Sequence, residues 1–194
     1  IFERWIKNPE AFWTPYPLPS VAACDPHFQY PPPENCWGGA SQALLALRTP
    51  RWLEHYGKFG TLNHLMLRWL EGMQRSRKFM QQMDPFTGDF STSPDYSPAM
   101  CCVIDFTTRL AGVMETPEGL VWGCSGIPGV KRSDFCLERF RGGSARIVIE
   151  SDLALLTLNG KEMIRIKGPV RCFSDRYGEH LLLAALCDGV VEVS

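Results

Sequence analysis

Residues 97–124 read "SPAMCCVIDFTTRLAGVMETPEGLVWGC", and the spacing of the apolar residues changes within this stretch. Ser97 and Pro98 supply a capping hydroxyl and a first-turn proline, which are typical of a helix start. The segment that follows is apolar on almost every side through Ile104, so we expect this helix to be enclosed by other helices. After Val113 the apolar period changes to two, which indicates strands.

The change of period divides the chain into two predicted domains. Residues 112–118, "GVMETPE", contain glycine and proline and mark the boundary. Asn159 and Gly160 suit a type I′ turn and predict the clearest hairpin of the second part. The eight predicted strands are "GLVWGC", "DFCLERF", "ARIVIES", "LALLTLNG", "EMIRIKG", "VRCFSD", "HLLLAAL" and "VVEVS". The predicted fold class is α plus β, with helical hairpins over residues 1–113 and an antiparallel β-sandwich over residues 114–194.

Two further helices are predicted in the first part of the chain. Thr49 and Pro50 resemble a cap and a first-turn proline, and Gly57 can end that helix in a left-handed conformation. A second helix over residues 61–75 is expected to bury one face. Its apolar residues at helical spacing are Leu62, Leu65, Met66, Trp69 and Met73.

Composition excludes two classes of partner. The chain has 20 Lys plus Arg against 21 Asp plus Glu, a net charge of -1, and no long run of one sign. We therefore expect no nucleic-acid partner. No apolar run approaches the roughly 18 residues that span a bilayer, so we expect no membrane partner. The start "IFERWIKNPE" has neither a signal peptide nor an initiator Met, which suggests a processed product or a fragment.

The eight cysteines do not form a recognisable metal motif. None lies in a CxxC pair and no His follows them at metal-ligand spacing, so we predict no metal and no cofactor. Cys101 and Cys102 lie in an apolar helical run, and Cys187 ends an apolar strand. We expect the cysteines to be mostly buried and reduced.

The order of several motifs resembles a known family. "FWTPYPLPS", "DPHF", "PPENCWGGASQALLALRTPRWLEHYG", "FMQQMDPFTGDF" and "YSPAMCCVIDF" precede the β segments. This order is similar to the C-terminal part of bacterial six-hairpin glycosidases, (α/α)6 toroids related to trehalase, processing α-glucosidases and mannosylglycerate hydrolase. The resemblance covers residues 10–113 by motif and the remainder by architecture. It implies the last hairpins of a toroid with an appended β-sandwich.

Sugar-binding residues are expected in and beside two long loops, residues 14–39 and 81–96, which exceed the length that a connection requires. Aromatic rings pack on the C–H faces of sugars, and amides bind the hydroxyl groups. The candidate substrate-binding residues are Trp13, Asn35, Trp37, Gln42, Gln81, Gln82 and Tyr96. In the structural alternative, Trp13 and Trp37 pack the toroid floor and Asn35 caps a turn.

The catalytic residues depart from the family pattern. An inverting glycosidase needs a general acid and a carboxylate about 6.5–9.5 Å away that activates water. The resemblance implies a Glu base shortly before a Tyr-Asp or Tyr-Asn pair, but Gln81 occupies that position. An amide cannot accept a proton at neutral pH. The general acid of the family lies in an earlier hairpin, which the chain does not include.

Three interpretations follow. In the first, the base comes from elsewhere, and Glu34 and Asp25 are the catalytic candidates. In the second, Gln81 and Gln82 hold a sugar or a water without ionising. In the third, residues 81–90 are mainly a structural turn, with aspartate and proline at its start and glycine at its close.

The predicted function is that of a glycoside hydrolase-like protein acting on a glycosidic bond of an oligosaccharide or glycoside. The protein would be part of an inverting enzyme, and this chain alone is expected to be inactive. The alternative is a non-catalytic carbohydrate-binding or structural module. Expected partners are a carbohydrate substrate and the remaining toroid hairpins or a partner chain, and the resemblance favours a periplasmic or secreted location.

Overall fold

The computed structural model describes residues 1–34, 37–91, 94–140, 143–188 and 190–194. The chain is mixed, with three α-helices and antiparallel sheets in its described part, which agrees with the α plus β class. It divides into two compact units. The first unit consists of Ile1–Gly57 and His64–Ile104, and the second consists of Lys58–Asn63 and Asp105–Ser194. The predicted boundary after residue 113 stays a prediction.

The helices and three short strands lie in the first 111 residues. In chain order the elements are a π-helical turn Phe2–Ile6, β1 Ser41–Gln42, α1 Ala43–His55, α2 Phe59–Ser76, β2 Gln82–Met83, β3 Phe90–Ser91 and α3 Ser97–Ala111. The three strands form an antiparallel sheet in the order β1-β2-β3. Ser41 faces Met83 in this sheet, so the start of α1 is joined to the second long loop.

The remaining described elements are strands. They are β4 Val113–Glu115, β5 Leu120–Cys124, β6 Arg132–Phe140, β7 Gly143–Glu150, β8 Leu153–Leu158, β9 Lys161–Lys167, β10 Val170–Ser174, β11 Leu181–Ala185 and β12 Glu192–Val193. They form a four-stranded sheet, β11-β10-β5-β4, and a five-stranded sheet, β12-β9-β8-β7-β6. All the strand pairs are antiparallel. The eight predicted strands are therefore confirmed, whereas β4 is a further strand that lies in the segment predicted to mark the domain boundary.

One hydrophobic cluster holds the second unit together. Trp122 from the four-stranded sheet and Ile147, Leu156 and Ile166 from the five-stranded sheet belong to it, and all four are fully buried. The alternation along β7 and β8 places one side chain in two in this cluster, which is the pattern of a half-buried strand. The predicted Asn159–Gly160 hairpin is confirmed, because both residues have positive φ between β8 and β9.

The prediction that a helix begins at Thr49 was wrong. α1 begins at Ala43 and continues through Pro50. Thr49 does not cap; its hydroxyl donates to the carbonyl of Leu45 at 2.8 Å, and the residue is buried. A hydroxyl that donates to the carbonyl four residues earlier is compatible with a helix interior. The predicted stop at Gly57 is confirmed by its φ of 64°.

α2 buries the predicted apolar stripe, and Leu62, Leu65, Met66, Trp69 and Met73 are at most 5% exposed.

α3 differs from the expectation of burial on almost every side. Ala99, Cys102 and Phe106 are buried, but Met100 and Ile104 are 44% and 60% exposed. The helix therefore carries apolar residues on two faces, and only one of these faces is buried.

The expectation that the cysteines are mostly buried is also wrong. All the described cysteines are reduced, as expected, and three of them are buried: Cys102, Cys124 and Cys172. The exposed ones are Cys24, Cys101, Cys136 and Cys187. Cys136 faces outward on β6 because the strand alternates, and Cys187 follows the end of β11. In the described ranges, no helix combines the length and the apolar character needed to cross a membrane.

Candidate functional site

Two glutamines on neighbouring strands link the two long loops of the first unit. Gln42 on β1 and Gln82 on β2 are 1% and 0% exposed. The side-chain amide of Gln42 donates to the side-chain carbonyl of Gln82 at 3.1 Å. The amide of Gln82 donates to the backbone carbonyl of Pro33 at 2.9 Å. These bonds hold residues 81–91 against the first loop, so both amides have a structural role.

The second loop begins with a tight turn around Asp84. Its carboxylate oxygen Oδ1 accepts hydrogen bonds from the backbone N–H of Phe86 at 2.8 Å and of Thr87 at 3.0 Å. The Gly88 N–H donates to the Asp84 carbonyl at 2.9 Å. Gly88 has a φ of 73°, a conformation that favours glycine. This geometry agrees with the structural-turn interpretation of residues 81–90.

The turn presents an aromatic side chain to the first loop. The rings of Tyr30 and Phe86 meet edge to face, with centroids 5.2 Å apart and an interplanar angle of 86°. Phe28 stacks with Tyr30 at 6.4 Å and meets Phe86 edge to face at 6.1 Å. We call these three rings the aromatic patch. Tyr30 and Phe86 remain 53% and 39% exposed, so the patch offers aromatic surface to solvent.

Two carboxylates flank the aromatic patch. The negative charge of Asp84 raises the pKa of Tyr30, and burial, a hydrogen bond to Asp84 and the charge of Asp89 add to this effect. The Tyr30 hydroxyl therefore stays protonated at neutral pH and donates to Asp84. Asp89 is exposed and Asp84 is half-buried. The site combines apolar rings with acceptors for hydroxyl groups.

A cavity of about 370 Å³ lies beside this turn. Its lining residues are Gly72, Arg75, Ser76, Lys78, Met80, Gly88 and Asp89. The Arg75 guanidinium donates to the carbonyls of Thr87 and Gly88 at 3.2 and 3.0 Å, and lies 5.3 Å from the centroid of the Tyr16 ring. Tyr16 in turn donates its backbone N–H to Pro85 at 2.9 Å. Arg75 and Tyr16 therefore fix the position of the turn that carries Phe86.

The catalytic candidates lie on the surface of the first loop. Glu34 is exposed, and so is Asp25. Asp25 accepts the backbone N–H of His27 at 2.8 Å, and its carboxylate lies 3.1 Å from Nδ1 of the same residue. The backbone hydrogen bond, followed by the side-chain hydrogen bond and the charge of His27, lowers the pKa of Asp25 despite slight desolvation. Asp25 therefore has the geometry of a residue that closes a local turn.

The predicted sugar-binding aromatic residues differ in accessibility. Trp37 is 50% exposed and can offer a ring face to a ligand. Trp13 is half-buried, with the Lys7 ammonium 4.1 Å from its ring centroid and the His64 ring 5.4 Å away. Burial lowers the pKa of His64, and the charges of Arg68 and Lys7 lower it further. Trp13 therefore already has a cation and an aromatic partner.

The other predicted binding residues are Gln81, Tyr96 and Asn35. Gln81 is 9% exposed, and its backbone carbonyl accepts the N–H of Ala43 at 2.9 Å. Tyr96 precedes α3, is half-buried and accepts the N–H of Ala99 at 2.9 Å. Asn35 lies outside the described residues. Gln81 and Tyr96 thus support the ends of α1 and α3.

Sequence reasoning identified the two loops but missed the aromatic patch. Phe28 and Tyr30 are two residues apart in the first loop, and Phe86 follows a turn-forming Asp-Pro pair in the second. Aromatic residues at a spacing of two project to the same side of an extended segment, which is the signal that could have found them. Comparison with protein-family models, with curated proteins and with solved structures found no significant match to the chain.

Proposed function

We propose that this chain is the C-terminal portion of a glycoside hydrolase-like protein and that its first unit binds the carbohydrate. In this proposal, residues 1–113 form the last hairpins of an (α/α)6 toroid, and residues 114–194 form its antiparallel β-sandwich. The motif order supports the family assignment. The succession of helices and then antiparallel strands is compatible with it.

The observation that carries the binding function is the exposed aromatic patch beside two carboxylates. Tyr30 and Phe86 offer apolar ring surface, which packs favourably on the C–H face of a pyranose. The exposed Asp89 carboxylate supplies acceptors for sugar hydroxyls, and the Tyr30 hydroxyl, whose proton is donated to Asp84, supplies a further acceptor oxygen. A sugar is amphipathic by face, so this combination is suited to a sugar rather than to a purely apolar ligand.

The described residues support binding more strongly than catalysis. The buried Gln42 amide donates to Gln82, and the buried Gln82 amide donates to Pro33, so both have a structural reason to be there. The Asp25 carboxylate accepts the backbone N–H of His27 and lies next to the His27 ring. Glu34 is exposed and ionisable, and it is the candidate base that we retain for the complete enzyme. The general acid would come from the earlier hairpins.

A structural or assembly role is the second candidate function. The exposed side of α3 carries Met100, Cys101 and Ile104, an apolar strip along one side of the helix. Apolar strips of this kind on a helix are favoured contact surfaces for other helices. This strip would suit contact with the remaining hairpins or with a partner chain.

A combined binding and turnover assay tests the proposal. The chain is incubated with a panel of aryl glycosides, trehalose, maltooligosaccharides and α-mannosides. Saturation-transfer NMR reports binding, and product release reports turnover. We expect binding of at least one sugar without turnover. Turnover that a substitution in this chain abolishes would contradict the division of roles, and the absence of sugar binding would contradict the proposed function.

A further inference from the structure

Three metal-ligating side chains meet in the turn between β10 and β11. Asp175, Glu179 and His180 each offer one ligand atom, and these atoms all lie within 4.8 Å of one another. In the described part of the chain, these three residues are the one group of three or more potential metal ligands that lie this close together. The spacing is short enough for one cation to draw the three ligand atoms around it.

Hydrogen bonds within the turn hold the backbone that carries these three side chains. The Asp175 N–H donates to the carbonyl of His180 at 3.2 Å and closes the hairpin. The Asp175 oxygen Oδ1 accepts the N–H groups of Tyr177 and Glu179, both at 3.0 Å. Because the turn uses Oδ1, coordination through Oδ2 would leave its hydrogen bonds intact.

Packing beneath the turn restricts its movement. Gly178 has a φ of 74°, and a Cβ added there would lie 2.8 Å from the Met163 methyl carbon and 3.3 Å from a Leu158 methyl carbon. The backbone of the turn therefore lies directly against side chains of the five-stranded sheet. Ligands that are held in place before binding lose less conformational entropy when a metal arrives.

The charge of the cluster matches a divalent cation. Burial raises the pKa of Asp175. Hydrogen bonds from the N–H groups of Glu179, Tyr177 and Gly178, together with the charge of His180, outweigh this effect, so the net shift of the pKa is downward. The cluster combines two acidic side chains with one imidazole, a set of ligand types that suits a divalent cation.

We propose that Asp175, Glu179 and His180 form a binding site for a first-row divalent transition-metal ion, of which Mn²⁺ and Zn²⁺ are the best-suited examples. Carboxylate oxygens suit Mn²⁺, and imidazole suits Zn²⁺ and its neighbours, so the mixed set favours these ions over Ca²⁺ and Mg²⁺. Water would complete the coordination. No metal was predicted from the sequence because the spacing of cysteine and histidine showed no motif, and this cluster contains no cysteine.

Paramagnetic NMR with Mn²⁺ tests the site. Mn²⁺ is chosen because exposed thiols such as Cys136 and Cys187 would compete for Zn²⁺. We expect Mn²⁺ to broaden the amide signals of residues 175–180 first. His180→Ala should weaken this binding by at least about tenfold, since even outer-shell partners of metal ligands contribute 10- to 100-fold. Glu179→Gln keeps the shape of the side chain and should weaken it as well.

His27→Ala is the matched control. His27 is an exposed histidine beside one carboxylate, Asp25, and lacks a third ligand in the described structure. This variant should leave Mn²⁺ binding at residues 175–180 unchanged. The proposal is overturned if Mn²⁺ broadens no signal in the turn, if the broadening centres on another part of the chain, or if His180→Ala binds as tightly as the unaltered protein. If the substituted chains fail to fold, the location of the broadening in the unaltered chain decides.

Discussion

The Gln42 side chain donates a hydrogen bond to the Gln82 side chain at 3.1 Å, in a position that solvent does not reach. This pair joins β1 to β2, and through Pro33 it also joins the two long loops. The adjacent Gln81 occupies the position where the family resemblance implies a catalytic glutamate. Gln82 therefore stabilises the contact between the two loops. The side chain of this loop that a ligand can reach lies further along, at Phe86.

Replacing Gln82 should destabilise the first unit. Gln82→Ala removes the acceptor of the buried Gln42 amide and the donor to the Pro33 carbonyl, so we expect a loss of about 1–3 kcal/mol in the free energy of unfolding. Urea denaturation measures it. Arg51→Ala, at an exposed position on α1, is the control and should stay within about 0.5 kcal/mol. Equal effects would show that the amide pair contributes little.

The indole of Trp122 depends on Ser174 in the core of the second unit. Its Nε1–H donates to the Ser174 hydroxyl at 2.9 Å, and Trp122 is fully buried. Ser174→Ala should cost about 1–3 kcal/mol because the indole N–H loses its acceptor. Ser133→Ala, on the half-buried β6, should cost less than 1 kcal/mol. Thermal denaturation of both variants compares them, and a Ser174→Ala chain as stable as the original contradicts this assignment.

Gly123 is required by the close approach of two backbones. A Cβ there would overlap the carbonyl oxygen of Arg109 and lie 2.6 Å from the carbonyl carbon of Leu110. Gly123→Ala should cost about 3 kcal/mol or more, because backbone cannot move aside as a side chain can. Gly126 has a positive φ but open space around it, so Gly126→Ala should cost only about 1–2 kcal/mol. Chemical denaturation that reverses this order would refute the packing argument.

The Asp134–Arg146 pair should make a small, pH-dependent contribution. The Arg146 guanidinium binds both carboxylate oxygens, at 2.8 and 2.6 Å. Its hydrogen bonds, and then its charge, lower the pKa of Asp134 below 3.8 in spite of desolvation. Because the folded-state pKa is depressed, the stabilisation is present above the ordinary pKa and is lost as the pH falls through the folded value.

Asp134→Asn should therefore lower the Tm at pH 7, by at most a few degrees because both side chains are well exposed. The difference from the unaltered chain should close as the pH is lowered below 3.8. Asp188→Asn, at another exposed aspartate, should show no such trend. A difference that persists at low pH would mean that the substitution acts through something other than the charge.

Local signals predicted the regular elements well. The helical spacing from Leu62 to Met73 places one face of α2 in the interior, and Asn159–Gly160 forms the expected tight turn. Both signals act over a few residues, so the sequence contains all that they need. Thr49 and Pro50 misled the same reasoning, because a cap and a helix interior can use the same residues and neighbouring contacts decide between them.

The candidate site could be predicted only in part. The length of the two loops indicated that they matter, but the meeting of Tyr30 with Phe86 requires the Gln82–Pro33 bond and the turn around Asp84. The Tyr30–Phe86 and Gln82–Pro33 contacts join residues about fifty positions apart, which neither spacing nor composition encodes. The cluster of Asp175, Glu179 and His180 was not noticed in the sequence for another reason, since its residues are close in sequence but match no known metal-ligand spacing.

The central claim is that the aromatic patch binds carbohydrate. Isothermal titration calorimetry tests it by titrating a sugar that the unaltered chain binds into the Tyr30→Ala and Phe86→Ala variants. The controls are Tyr56→Ala and Phe79→Ala, which remove rings that are 68% and 37% exposed elsewhere in the first unit. We expect each patch variant to weaken binding by about 5- to 50-fold, corresponding to about 1–2 kcal/mol of lost ring contact, and each control to leave the Kd unchanged. Patch variants that bind the sugar as tightly as the controls would contradict the account.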